Sequence, residues 1–269
     1  MDYIIPTELV SGVVRAAEKK ANLSARDLLV CGMLAGGLLA YATSTVFMVL
    51  TQGLPPIAGV IVFPAGFVML VLLGFELSTG NFAILPLGWL AGCVPSAGVL
   101  RNWAWTAAGN LAGSVLYALL FCAAITSFGV TNGGALGDRV RQLALKKTAA
   151  YAALGDAGWA AAFVKPVLCN WMVAFSAIGA FTSRSTPGKI VAMWLPITMF
   201  FALGYEHSVV NMFVIPAGML FGAPVSVAQW FLWNRIPVTP GNILGGAVFT
   251  GLALWSTHSR VETPAPAIL

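Results

Sequence analysis

Charge is what this chain has least of. Of its 269 residues, 14 are Lys or Arg, 9 are Asp or Glu and 2 are His, so charged side chains make up only 9%. That excludes an ordinary solvated surface, and with 59% apolar residues and a mean hydropathy of +0.87 it leaves an integral membrane chain. Cysteine is also scarce. Cys31, Cys93, Cys122 and Cys169 lie in or beside apolar runs with no CxxC pair, so they read as small packing residues, and no metal or cofactor is called for. No Asn-Pro-Ala pair is present, which argues against a neutral-solute channel of the water or glycerol type. A GxSxG elbow is missing too, and adjacent His207 and Ser208 seldom point together for nucleophilic catalysis, so an intramembrane hydrolase is disfavoured. Only one histidine falls inside an apolar run, too few for the axial ligands of a haem subunit.

The first 27 residues have no apolar signal-peptide core and no small-residue cleavage site. Leu9, Val10, Val13 and Val14 are followed by Arg15, Glu18, Lys19, Lys20 and Arg26, the pattern of an interfacial helix. Six spans of about 20 residues, the length a ~30 Å hydrocarbon core demands, fall near 28–50, 57–75 continuing brokenly to 93, 104–127, 158–181, 189–204 continuing brokenly to 222, and 240–257. Nothing remains for a soluble domain, so residues 1–269 form one transmembrane unit with no sign of nucleic-acid binding.

What the chain does have, it has twice. Gly74-Phe75-Glu76-Leu77-Ser78-Thr79-Gly80-Asn81 and Gly204-Tyr205-Glu206-His207-Ser208-Val209-Val210-Asn211 share glycine, an aromatic, glutamate, serine and asparagine at equal offsets. Both interrupt apolar runs and carry the only carboxylates inside them. A polar break at membrane depth survives only where protein buries it or it lines a cavity. Three spans per half is an odd number, so halves near 28–128 and 158–257 insert with opposite orientation. The expected fold is all-α, with six transmembrane helices in two inverted three-span repeats whose second and fifth helices are broken and meet near the midplane.

The net charge of +5 matters less than its distribution. One side receives Arg15, Lys19, Lys20, Arg26, Arg101, Arg184, Lys189 and Arg260, and the other Arg139, Arg141, Lys146, Lys147 and Arg235, with Lys165 near the start of the fourth span. The excess places both termini in the cytoplasm. The 139–147 cluster, on an outer loop between the repeats, would concentrate anions at a pore mouth; the plainer reading is a solvated basic loop.

His207 is an intramembrane ionisable residue, a functional candidate by default. A neutral imidazole donates one hydrogen bond to an anion and an imidazolium can also give it a proton; the alternative is a histidine satisfied by a backbone carbonyl. Glu76 and Glu206 are expected to accept hydrogen bonds from the backbone N–H groups freed at each break. Thr79 offers a hydroxyl beside Gly80, whose missing Cβ permits unusual backbone geometry or close approach.

The strings CNWMV (Cys169 to Val173), GYEHSVVNMF (Gly204 to Phe213), IPAGM (Ile215 to Met219) and IPVTPGNILGG (Ile236 to Gly246) resemble the formate/nitrite transporter family over roughly residues 5 to 260, with GFELSTGN as the first-repeat counterpart. The resemblance implies an aquaporin-like protomer, a homopentamer with one pore per protomer in a bacterial cytoplasmic membrane, and transport of formate first or nitrite second. It implies that Thr79 and His207 face each other as the central anion pair, that Asn211 and Glu206 stabilise the second break, and that Asn170 hydrogen-bonds near the pore. Lys147, with Lys146 as the alternative, matches the basic loop residue that dips toward the outer vestibule. Phe63, Phe67 and Phe200 match the outer constriction and Leu77 the inner one, while Ser78 stands where several members carry phenylalanine.

Overall fold

The computed structural model describes residues 2–259, so Arg260, counted above for orientation, lies outside the described residues. Helix α1 (Pro6–Ala21) is followed by α2 (Ala25–Thr51), α3 (Pro56–Leu72), α4 (Ser78–Leu90) and α5 (Ser96–Ile125). A connector holding α6 (Gly134–Lys146) and the single turn α7 (Ala149–Ala152) leads to α8 (Gly155–Gly179), α9 (Thr186–Ala202), α10 (Ser208–Leu220) and α11 (Val227–His258).

Among the described residues, four helices, α2, α5, α8 and α11, are long and apolar enough to cross a membrane. The second and fifth spans are composites, α3 with α4 and α9 with α10, interrupted at residues 73–77 and 203–207. Each interruption opens on a glycine in the left-handed region, Gly74 at φ +72° and Gly204 at φ +65°, a conformation in which a Cβ would be strained. The unusual backbone angle therefore belongs to Gly74. Gly80 sits in the first turn of α4, where a Cβ would come 3.4 Å from that of Ala177.

The halves interlock. In the first, α2 lies along α5, and in the second α8 lies along α11. The backbones approach closely because glycines recur every four residues at the crossings. A Cβ on Gly36 or Gly113 would collide with Asn110 O or Met33 O, and one on Gly245 with Val167 O. Small residues at such spacing give membrane helices their dispersion contact, since water supplies no hydrophobic drive there. The short α4 packs against α8 and α11 of the other half, and α10 against α2 and α5. Phe213 of α10 fills its side of this exchange among Phe47, Tyr117 and Phe121.

Helix α1 buries Leu9, Val10, Val13 and Ala17. It packs on α4, where Gly88 leaves room for the Ala17 methyl. The apolar face that suggests a helix lying on lipid is thus covered by protein. The last helix starts well before the sequence boundary at residue 240 and runs through Pro237 and Pro240, with a wide π-type turn at Phe231–Arg235 just before them and another at Ala247–Leu252 beyond.

Candidate functional site

Both breaks are held by the same set of side chains. At the first, Lys20 Nζ lies 2.6 Å from Glu76, Asn81 donates to Glu76 at 2.7 Å and to Asn102 at 2.9 Å, and Asn102 donates to Lys20 O at 2.9 Å. At the second, Lys147 Nζ lies 2.7 Å from Glu206, Asn211 donates to Glu206 at 2.8 Å and to Asn234 at 3.1 Å, and Asn234 donates to Lys147 O at 3.1 Å. Each buried carboxylate has an ammonium and an amide partner, which membrane depth requires.

The glutamates do not take the backbone N–H groups that the breaks release. Asparagines do: Ser78 N–H donates to Asn110 Oδ1 at 3.0 Å and Ser208 N–H to Asn242 Oδ1 at 2.8 Å. Each asparagine also ties its amide to the glutamate carbonyl of the same break and to a neighbouring helix, Gly32 O for Asn110 and Pro166 O for Asn242. A carboxylate already saturated by lysine and amide donors has no call on a backbone N–H. The neutral amide can accept and donate at once, which suits the crossing of two helices.

Between the two networks the half-helices meet end to end. Thr79 lies in the first turn of α4 and His207 caps α10, and Thr79 Oγ1 is 3.0 Å from His207 Nε2. His207 Nδ1 accepts the Val210 N–H at 3.2 Å, so the neutral ring carries its proton on Nε2 and points it at Thr79. The Thr79 hydroxyl then keeps its own hydrogen free to donate. Both side chains are buried. Each helix N-terminus contributes roughly half a positive charge, and here two of them aim at one dry spot, an arrangement that favours an anion. Asn170 steadies the region by donating to Thr79 O at 3.1 Å and Asn242 O at 2.7 Å.

Cavities flank this centre. One, of about 390 Å³, is lined by Lys146, Lys147, Tyr151, Lys165, Phe200 and Glu206 and reaches His207. The other, of about 170 Å³, is lined by Lys20, Phe67, Phe75, Leu77, Gly80 and Asn81. Phe200 stacks on the His207 ring with centroids 5.9 Å apart, and both line the first cavity. Leu77 lines the second. Phe67 lines the second cavity with Leu77, away from the Phe200 side where the resemblance grouped it. Phe63 stacks on Phe201 at 3.9 Å and meets Phe200 edge-on, so it packs against the Phe200 ring.

Of the two candidate lysines, Lys147 is buried against Glu206 while Lys146 is exposed at the cavity. Arg141 pairs with Asp138, so the 139–147 cluster is not four free cations. Residues missed in the sequence are Lys20, Asn102, Asn110, Asn234 and Asn242. The signal was present, since Asn102 and Asn110 stand eight apart, as do Asn234 and Asn242, in the last span of each half.

Residues 7–256 match the model of a family described as formate/nitrite transporter. The chain is 35% identical over 270 residues to a probable formate transporter of Methanothermobacter thermautotrophicus, covering 95% of this chain and 97% of that one. It is 33% identical over 280 residues to the nitrite transporter NirC of Salmonella typhimurium, covering 97% and 95%. Among solved structures it is similar to an FNT family ion channel with a TM-score of 0.77 at 31% identity, over 93% of this chain and 98% of that one. A pentameric formate channel with formate bound is also similar, with a TM-score of 0.72 at 26% identity over 88% and 98%. With a family match over nearly the whole chain and a fold of two interlocked, broken-helix halves, the chain belongs to the formate/nitrite transporter family, and it is an integral membrane channel or transporter, not an enzyme.

Proposed function

We propose that this protein conducts small monovalent anions, formate first and nitrite second, through a central site made by Thr79 and His207. One observation carries the reading. Two half-helix N-termini, one bearing a threonine hydroxyl and the other an imidazole Nε2–H, converge in a dry gap between two cavities. A bare anion entering that gap loses its hydration, and these donors replace part of it. The order of substrates rests on similarity: a probable formate transporter and a channel with formate bound on one hand, a nitrite transporter at nearly the same identity on the other.

The proposal includes a proton. An imidazolium at His207 would give its Nε2 proton to the anion, which would leave as a neutral weak acid. Gaining that charge places a proton on Nδ1 and releases the Val210 N–H, so the step loosens the first turn of α10. We further propose a homopentamer, supported by the pentameric formate channel of similar fold. Placement in a bacterial cytoplasmic membrane with both termini cytoplasmic is supported by the basic residues gathered on one side.

The test is flux of formate, nitrite and chloride through the purified protein in liposomes at two pH values. Saturable movement of formate or nitrite is expected, with chloride slower. Water permeability without flux of any of the three would leave a channel fold with a different cargo.

A further inference from the structure

Lys147 is the residue that family resemblance puts forward as the cation of the larger vestibule, yet its charge is already spent. Its ammonium lies 2.7 Å from the Glu206 carboxylate, with both side chains nearly sealed from solvent. To an anion in the cavity the pair is close to neutral. Two further lysines line the same cavity: Lys146, exposed at its rim, and Lys165, half-buried on α8 and held by a neighbouring side chain.

Lys165 Nζ donates to the Tyr151 hydroxyl oxygen at 3.3 Å and sits 5.1 Å from the centre of that ring. Tyr151 cannot neutralise it, because its one proton is given to Glu206 at 2.9 Å and its oxygen offers only a lone pair. Among the described residues, Lys165 has no carboxylate within ion-pairing distance. Its ammonium has three hydrogens and one named acceptor, which leaves two donors facing a cavity of about 390 Å³. Its position is fixed from below by Pro166, whose carbonyl accepts from Asn242 in the scaffold of the second break. The smaller cavity has no equivalent, since its lining cation, Lys20, is paired with Glu76 at 2.6 Å.

We propose that Lys165, held by Tyr151, forms an anion-capture site in the larger vestibule, distinct from the central Thr79–His207 site and able to take small carboxylates. The inference rests on the transport reading above and adds an asymmetry to it. Anions approaching from the Lys165 mouth meet an uncompensated charge before the dry constriction, and anions approaching from the Lys20 mouth meet a balanced pair. Selection by size is left to the centre, because the vestibule is far larger than a three-heavy-atom anion. A bulkier monocarboxylate such as propionate therefore occupies the Lys165 site and competes with formate there from that mouth only.

The test uses full-length protein, wild type beside Lys165→Met and the charge-keeping Lys165→Arg, with Lys165→Gln replacing the methionine variant if that one does not purify as a monodisperse species. Formate uptake is measured from each face of sealed vesicles, and binding is followed by the line width of ¹³C-formate with solubilised protein. Expected from the Lys165 face is a rise in half-saturating formate of roughly three- to ten-fold in Lys165→Met, the effect of one nearby unit charge, with the maximal rate and the opposite face unchanged. Lys165→Arg stays within about two-fold of wild type, and propionate inhibition from the Lys165 face is lost in Lys165→Met. Equal half-saturation in wild type and Lys165→Met, or an equal rise at both faces, overturns the proposal. If wild type carries neither formate nor nitrite, the transport reading fails on its own. The line width then decides the capture site, which stands if Lys165→Met narrows the signal and falls if it does not.

Discussion

At the scale of single residues, His207 has two jobs that a simple truncation would confound. Its Nδ1 is the N-cap acceptor of α10 and its Nε2 faces Thr79. Removing an N-cap acceptor costs about 1 kcal/mol, so His207→Ala loses stability as well as the site. Asparagine separates the roles: its carbonyl oxygen can cap Val210, and its amide carries no transferable proton. His207→Asn is expected to keep a melting temperature near wild type where His207→Ala falls, and to flatten the pH dependence of formate flux. A pH profile unchanged in His207→Asn would mean that the anion takes its proton from water, with the imidazole only a hydrogen-bond donor. The breaks that hold Thr79 and His207 were legible from sequence because polar residues interrupting apolar runs need a reason to be there, while the pairing of the two came only from the family resemblance. The ring's capping role was not, because it depends on which nitrogen meets the Val210 N–H once the backbone has turned.

At the scale of elements, each break is a helix end that water cannot satisfy; Asn110 and Asn242 take the freed N–H groups, and a lysine–glutamate–asparagine set holds each break in place. Truncating one partner of a buried pair leaves the other uncompensated, at a cost of ~3–5 kcal/mol. Lys147→Met should therefore lower the thermal stability of the solubilised protein sharply, since it strands the Glu206 carboxylate with only Tyr151 and Asn211. Adding Glu206→Gln to that variant should recover part of the loss, because the neutral amide no longer needs a cation. Additive losses in the double variant would show that the two side chains act independently. The breaks themselves could be read from the paired GFELSTGN and GYEHSVVN strings. Their supports could not, for Lys20 lies in a polar amphipathic stretch and Asn102, Asn110, Asn234 and Asn242 sit in ordinary-looking spans. Only the crossing of α2 with α5 and of α8 with α11, set by glycines, brings those amides to the breaks. The glutamates were misjudged for the same reason, since the sequence does not reveal that an amide stands closer to each freed N–H.

For the molecule as a whole, the inverted halves are joined by more than the exchange of α4 and α10. The chain start crosses to the loop between α8 and α9, where Ile4 N–H donates to Thr182 O at 2.9 Å. There the Asp2 carboxylate accepts from the Ser183 and Ser185 hydroxyls at 2.8 and 2.7 Å and from the Arg184 and Ser185 N–H groups at 2.8 and 2.7 Å. The hydroxyls of Ser185 and then Ser183 hold its pKa down to about 2 against an ordinary 3.8. A carboxyl whose folded pKa is depressed contributes stability that is complete above its unfolded value and fades as pH falls through the folded one. The clasp should thus be intact at neutral pH, begin to weaken below 3.8 and be half released near 2. Hydrogen exchange at the Arg184 and Ser185 amides reads this directly: protection falls across that acid range in wild type, and Asp2→Asn shows the lowered protection already at neutral pH. Because the carboxylate is exposed, the effect is confined to the clasp and leaves the midpoint of global unfolding unmoved. Protection at Arg184 and Ser185 that ignores both acid and Asp2→Asn would mean that the backbone bonds, Ile4 N–H to Thr182 O and Arg184 N–H to Asp2 O, close this face without the carboxylate.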